Sequence, residues 1–196
     1  MPAEVFLHIA VSLDGYIERA DHDIDWAFAD DEWETYINDV LASIGGMIFG
    51  RTAHEKLSEY WPNAGTGGGD RAQAPRQSVT TQHLEAVRMM NELPKYVVSD
   101  GRYQSTWANS HILDGELATE IARLKREHDR DLALFAGARV AQSFMKLGLI
   151  DSYRLVVNPV VLGTGTALFA RGLPEIRLKL DDVKQFQSGA LVLTYS

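Results

Sequence analysis

Residues 132–148, LALFAGARVAQSFMKLG, change their periodicity in the middle. Leu132 to Phe135 is an apolar run that reads as a strand. From Arg139 to Leu147 the apolar residues Val140, Phe144 and Leu147 recur at three-to-four spacing, on one face of a helix that Gly148 ends. Only Ala136 and Gly137 separate the two patterns. A strand that turns this quickly into an amphipathic helix is half of a βαβ unit, and strands alternating with helices build parallel sheets.

The same step recurs upstream. Met47-Ile48-Phe49, bracketed by Gly46 and Gly50, leads directly into Arg51-Thr52-Ala53-His54-Glu55, where Thr52 and Glu55 have capping-box spacing. Lys95 to Ser99 (KYVVS) is a further strand that meets a turn. Glu4 to Ser12 (EVFLHIAVS) reads as a central strand, and Trp33, Ile37, Val40, Leu41 and Ile44 mark a helix that Asp31 and Glu34 would cap. Leu113, Leu117, Ile121 and Leu124 mark a crossover helix. The tail lacks helical spacing: Ser152 to Leu162, Ile176 to Leu180, Lys184 to Gln187 and Ala190 to Tyr195 read as strands, the last two joined at Ser188-Gly189. The expectation is an α/β fold with a mostly parallel central sheet, flanking helices and an antiparallel C-terminal hairpin edge. Asn63 to Asn91, with its Gly-rich opening, reads as a surface insertion.

The 196 residues suit one domain, 1–196, and 45% apolar with 23% charged residues is the balance of an ordinary globule. A net charge of -8 argues against a phosphate backbone as partner. No window has the roughly 18 apolar residues of a membrane span, and Met1-Pro2-Ala3-Glu4 lacks a basic signal-peptide start, so a cytoplasmic protein with no membrane partner is expected. There is no cysteine, and His8, His22, His54, His83, His111 and His128 lack paired ligand spacing, so no metal site is expected.

Parallel sheets bind ligands beyond the carboxyl ends of their strands, where helix N-termini offer unpaired N–H groups to phosphate. Gly50-Arg51-Thr52, Ser99 and Gly137-Ala138-Arg139 occupy such junctions. Gly65 to Gly69 lacks a Lys-Ser/Thr ending and reads as a loop, and Gly163-Thr164-Gly165 reads as a tight turn. Asp14 has two readings, a turn residue in Asp14-Gly15 or a carboxylate that orients a substrate or relays a proton. Trp33, Trp61 and Trp107 either fill core or wall a pocket, while His54 and Glu55 read as helix surface or capping groups.

The segments SLDGYI (12–17), GRTAHE (50–55), KYVVS (95–99), WANS (107–110), FAGARVAQSFMKLGLID (135–151) and NPVVLGTGTALF (158–169) resemble the dihydrofolate-reductase-like family, in the branch related to the C-terminal reductase domain of riboflavin biosynthesis. The resemblance implies NADPH lying across the sheet. Ala10 and Ile17 then flank the nicotinamide, and Gly50, Arg51 and Thr52 meet the 2′-phosphate and pyrophosphate region. Ser99 faces the adenosine end, while Gly137, Ala138, Arg139, Val140 and Ala141 open a helix under the pyrophosphate. Two positions depart from the pattern: Ala136-Gly137 stands where relatives have two glycines, and Asp100 where a basic residue is common, which places more weight on Arg51 and Arg102. The implied function is hydride transfer from NADPH to a small heterocycle such as a pterin or pyrimidine. The rival readings are a dinucleotide-binding regulatory module without turnover and a structural oligomer. A homodimer is expected from the resemblance and from the apolar run Leu155 to Leu162.

Overall fold

The computed structural model describes residues 2–27, 30–66, 80–99 and 101–196. The chain runs β1 (Val5–Ser12), β2 (Tyr16–Glu18), α1 (Asp31–Ser43), β3 (Gly46–Gly50), α2 (Arg51–Tyr60) and a 3-10 turn (Trp61–Thr66). It continues through α3 (Thr81–Glu92), β4 (Lys95–Val98), β5 (Ser110–Leu113), α4 (Leu117–Glu127), β6 (Leu132–Leu134) and α5 (Ala138–Lys146). β7 (Ser152–Asn158), β8 (Thr166–Ala167), β9 (Leu180–Gln185) and β10 (Leu191–Tyr195) complete it.

Eight strands form one sheet in the order β5-β4-β3-β6-β1-β7-β10-β9. Every pair from β5 to β7 is parallel, and β10 pairs antiparallel with both β7 and β9. The apolar runs quoted above are the central strands because helices cover both of their faces. Leu7, Ile48 and Leu134 pack with Ile121 and Leu124 of α4 and with Ala141, Phe144 and Met145 of α5. Phe6, Met47, Phe49 and Ala133 point the other way, to Val40 and Leu41 of α1, Leu57 of α2 and Met89 and Met90 of α3. Each fully buried side chain of this size contributes roughly 1.5–3 kcal/mol.

Several local readings change. Asp30 caps α1, its carboxylate accepting from the Trp33 N–H at 2.8 Å, so Asp31 is a first-turn residue. Thr52 and Glu55 form no capping box, since Gly50 is the N-cap of α2 and no side chain bonds there. Leu113 ends β5 rather than opening a helix, and α4 starts at Leu117. Residues 172–179 form no strand, and β9 starts at Leu180. Asn63 to Asn91 is no mere surface insertion where it is described: α3 buries Ala86, Val87, Met89 and Met90. Gly67 to Gly69 and Asp100 lie outside the described residues. Of the apolar run Leu155 to Leu162, Leu155 to Asn158 lie in β7, paired on its two edges with β1 and β10, while Val161 beyond the strand is exposed.

Candidate active site

β3 and β6 are neighbours, joined by the Phe135 N–H donating to Ile48 O at 2.9 Å, yet the helices that follow them diverge. α2 goes to the face shared with α1, and α5 goes to the opposite face. A crevice opens at such a switch point, outside the carboxyl ends of the strands. Gly50 and Gly137, the N-caps of α2 and α5, form its two lips.

The lips differ from the other helix starts. α1, α3 and α4 are capped by the side chains of Asp30, Thr80 and Glu116, which accept from backbone N–H groups. α2 and α5 have no side-chain cap and no acidic residue in the first turn. Their first turns carry Arg51 and Arg139, both exposed. A cation at the positive end of a helix dipole is unfavourable, and an anion there is favourable, so the arrangement suits a bound phosphate. Among the described residues Arg51 pairs with Glu55, one turn on, with Nε 3.2 Å from the carboxylate.

The two glycines answer to different causes. A Cβ on Gly50 would sit 2.7 Å from Val140 Cγ2, so the packing of α5 beside β3 requires glycine there. Gly137 has φ -67° and ψ 169°, an ordinary extended conformation, and a Cβ there would meet no atom of the described residues within 4 Å. Neither backbone strain nor packing by the described residues demands glycine at 137, at an uncapped helix start. The preceding peptide is trans. Ala138 and Ala141 are buried under this turn, and Val140 is half-buried against Gly50.

At the end of β1, two motifs distant in sequence meet. Asp14 accepts from Ser12 Oγ at 2.7 Å, from the Leu162 N–H at 3.1 Å and from the Gly163 N–H at 2.7 Å. The Ser12 hydroxyl bond, followed by the two backbone donors, holds the Asp14 carboxyl below the usual carboxylate range. Beyond it β2 pairs with β8, and Gly165, at φ +144°, allows an approach in which a Cβ would lie 2.1 Å from Glu18 O. Ala10 and Ile17 are both half-buried beside this loop, but they pack on different clusters. Ala10 lies with Trp33 and Tyr36 on the α1 side, and Ile17 lies against the α5-side core.

Next to Ala10, and on the same face of β1, His8 is ringed by Trp33, Tyr36 and Phe135 at centroid distances of 5.8, 5.6 and 5.4 Å. Burial, with a smaller effect from Arg154, lowers the His8 pKa to about 3, so the ring is neutral. Its Nε2 is 3.2 Å from the Tyr36 hydroxyl, whose own pKa burial pushes up to about 12. No sequence signal singled out His8, which looked like one more residue of a strand.

Ser99 follows β4, with its N–H donating to Leu113 O at 3.3 Å, and no helix opens there: the next element is β5. The intervening loop is pinned by His54, which is fully buried rather than on the helix surface. His54 Nδ1 lies 2.8 Å from the Tyr103 hydroxyl and Nε2 lies 2.9 Å from Ser110 Oγ. Burial, then the charge of Lys95, lowers its pKa to about 4. Lys95 is itself buried and donates to the carbonyls of Met90, Asn91 and Leu93 that end α3. Trp107 lies in this core, with Trp61 packed against it, so of Trp33, Trp61 and Trp107 it is Trp33 that borders the aromatic ring around His8.

The RibD C-terminal domain model matches residues 3–192. YyaP of Bacillus subtilis is 29% identical over 192 residues, covering 97% of this chain and 93% of its own. Among solved structures, a Shewanella sp. PV-4 protein assigned to riboflavin biosynthesis superposes with a TM-score of 0.73 at 20% identity, over 100% of this chain and 98% of that one. The riboflavin biosynthesis reductase Rib7 of Saccharomyces cerevisiae has a TM-score of 0.54 at 17% identity, over 99% and 89% of the two chains. These likenesses agree with the parallel sheet and its switch point, and the chain belongs to the RibD C-terminal domain family.

Proposed function

We propose that this protein is a reductase that binds NADPH across the β3/β6 crevice and reduces a small heterocycle, with pyrimidines the leading class. The observation that carries the reading is the pair of uncapped helix starts at Gly50 and Gly137, placed at the switch point where every other described helix has a side-chain cap. The first free N–H groups of α5, at Ala138, Arg139 and Val140 after Gly137, receive the pyrophosphate, with Ala141, whose own N–H donates to Gly137 O, buried beneath them. Arg51, with Thr52 beside it, pairs with the 2′-phosphate, and Ser99 meets the adenosine end. Ala10 and Ile17 border the nicotinamide. Bound NADPH supplies the hydride.

The chain's own residues orient and shield the reacting rings. The half-buried faces of Trp33 and Phe135 beside Ala10 suit a flat ring, and the neutral His8–Tyr36 pair adds hydrogen-bonding groups without charge. Asp14, held ionised by its three donors, acts as an acceptor that ties the β1–β2 loop to the Leu162–Gly163 turn. The family match supports a pyrimidine as substrate. The test is NADPH titration followed by its oxidation against a panel of aminopyrimidines and pterins. Binding with turnover on at least one pyrimidine supports the proposal, binding without turnover favours a regulatory module, and failure to bind any dinucleotide overturns it.

A further inference from the structure

His54 is fully buried in α2, and the chain after β4 engages both of its ring nitrogens, Nδ1 with the Tyr103 hydroxyl at 2.8 Å and Nε2 with Ser110 Oγ at 2.9 Å. Its lowered pKa keeps the ring neutral, so one nitrogen donates and the other accepts. Burying an imidazole costs desolvation that complete hydrogen bonding has to offset. The result is a phenol held in place by its hydroxyl.

Anchoring of the β4–β5 loop does not call for that bond. Trp107 is buried with its Nε1 donating to Asn91 Oδ1 at 2.7 Å, and Asn109 Nδ2 donates to the carbonyls of Asn91 and Glu92 at 3.0 and 3.1 Å. Those contacts fix the return of the chain to β5. Tyr103 lies earlier in the loop, four residues after Ser99, and is half-buried between the exposed Arg102 and Gln104. Its ring and that of His54 have centroids 5.6 Å apart and planes 80° apart, so the imidazole bonds at the hydroxyl and does not stack on the phenol.

The position of this ring is specific to the crevice. Arg51, His54 and Glu55 stand at i, i+3 and i+4 on α2 and share one side of the helix. Tyr103, bonded to His54, is therefore one turn from Arg51, on the β4 side of the lip at Gly50. Burial and then the charge of Glu55 push the Tyr103 hydroxyl up while Arg51 pulls it down, as expected of a phenol beside the Arg51–Glu55 pair. When a 2′-phosphate pairs with Arg51, the adenine on the same ribose lies close by, and a flat purine is held by stacking on an aromatic face.

We propose that Tyr103 is the platform on which the adenine of the dinucleotide stacks, and that His54 is the positioning residue that holds its ring from the core side. This rests on the NADPH reading of the crevice and adds a contact of a different kind. Arg51 acts on the 2′-phosphate that NADPH alone carries, whereas Tyr103 acts on the adenine that NADPH and NADH share.

The test is calorimetric titration of NADPH, NADH and adenosine 2′,5′-bisphosphate, which has the adenine and the 2′-phosphate without a nicotinamide, with melting curves to show that each variant is folded. Tyr103→Leu removes the π-face at similar bulk and should weaken all three ligands by a common factor, about ten- to a hundredfold. Tyr103→Phe keeps the face and loses the bond to His54, so it should bind about two- to fivefold more weakly than the wild type. His54→Phe breaks the same bond from the other end and should match Tyr103→Phe. A Tyr103→Leu protein with wild-type affinities, or a Tyr103→Phe protein as weak as Tyr103→Leu, overturns the platform. Wild-type affinity in Tyr103→Phe overturns the positioning role of His54, whether or not His54→Phe folds. A wild type that binds none of the three ligands overturns the NADPH reading itself, and the platform with it.

Discussion

Replacing Gly137 by valine separates two reasons for a glycine at a helix start. The site is extended, at φ -67° and ψ 169°, and a Cβ there would meet no atom of the described residues within 4 Å, so a β-branched side chain fits among them. The fold should lose no more than about 0.5 kcal/mol, a melting shift of under about 2 °C for a chain of this size. On the proposed cofactor the effect is opposite, because two methyl groups would stand between the first N–H groups of α5 and the pyrophosphate. Losing one charge-assisted hydrogen bond costs about 1.5–3 kcal/mol, so NADPH affinity should fall roughly ten- to 150-fold. Gly50→Ala is the control with the reverse pattern, since its Cβ would press to 2.7 Å from Val140 Cγ2. Overpacking of that kind costs about 1–3 kcal/mol. Melting and NADPH fluorescence titration on the same preparations distinguish the effects. A Gly137→Val protein that melts several degrees lower while binding NADPH as tightly as the wild type would refute the reasoning.

Arg51→Ala should weaken NADPH binding about tenfold or more while leaving NADH nearly unchanged, because only NADPH carries the 2′-phosphate; equal losses for both cofactors would remove Arg51 from the discriminating role. His8 gives a pH dependence of definite sign. Its folded pKa of about 3 lies below the unfolded value of 6.5, so the unfolded chain alone takes up a proton as pH falls below 6.5. Stability is then lost at about 1.4 kcal/mol per unit, or about 2 kcal/mol by pH 5, and His54 adds a loss of the same sign. Urea unfolding of His8→Phe between pH 7.5 and 5 should show a slope lower by one proton, and an unchanged slope would remove His8 as a source. Asp14→Ala should speed hydrogen exchange at the Leu162 and Gly163 amides with little change in global stability, and unchanged protection there would mean that Asp14 does not hold the turn.

The parts of the fold that were legible are those where a local pattern and the tertiary environment demand the same thing. β1 reads as a central strand because burial on both faces needs an uninterrupted apolar run, and the sheet supplies that burial. Where a residue's environment comes from distant chain, the pattern misleads. Lys95 looks like a strand's polar first residue, yet it is buried because the carbonyls ending α3 surround its ammonium group, and they are arranged only once that helix has formed. His54 carried a usable signal: with Leu57 and Trp61 it makes a three-and-four stripe facing the core, which its place in a polar segment concealed. Asp30 and Asp31 are chemically equivalent cap candidates, and one residue of helix phase decides between them. The contact of Asp14 with Gly163 spans 149 residues, so it appeared only as two separate turn motifs. The crevice combines both situations. Glycine at 50 and 137 was legible, but only the structure shows that Val140 accounts for the first and that nothing among the described residues accounts for the second. Natural chains satisfy their local rules except where function overrides them. A helix start without a cap, with an arginine at its positive end and a glycine its own packing does not require, departs from three such rules at one point. One anion bound between α2 and α5 would account for all three.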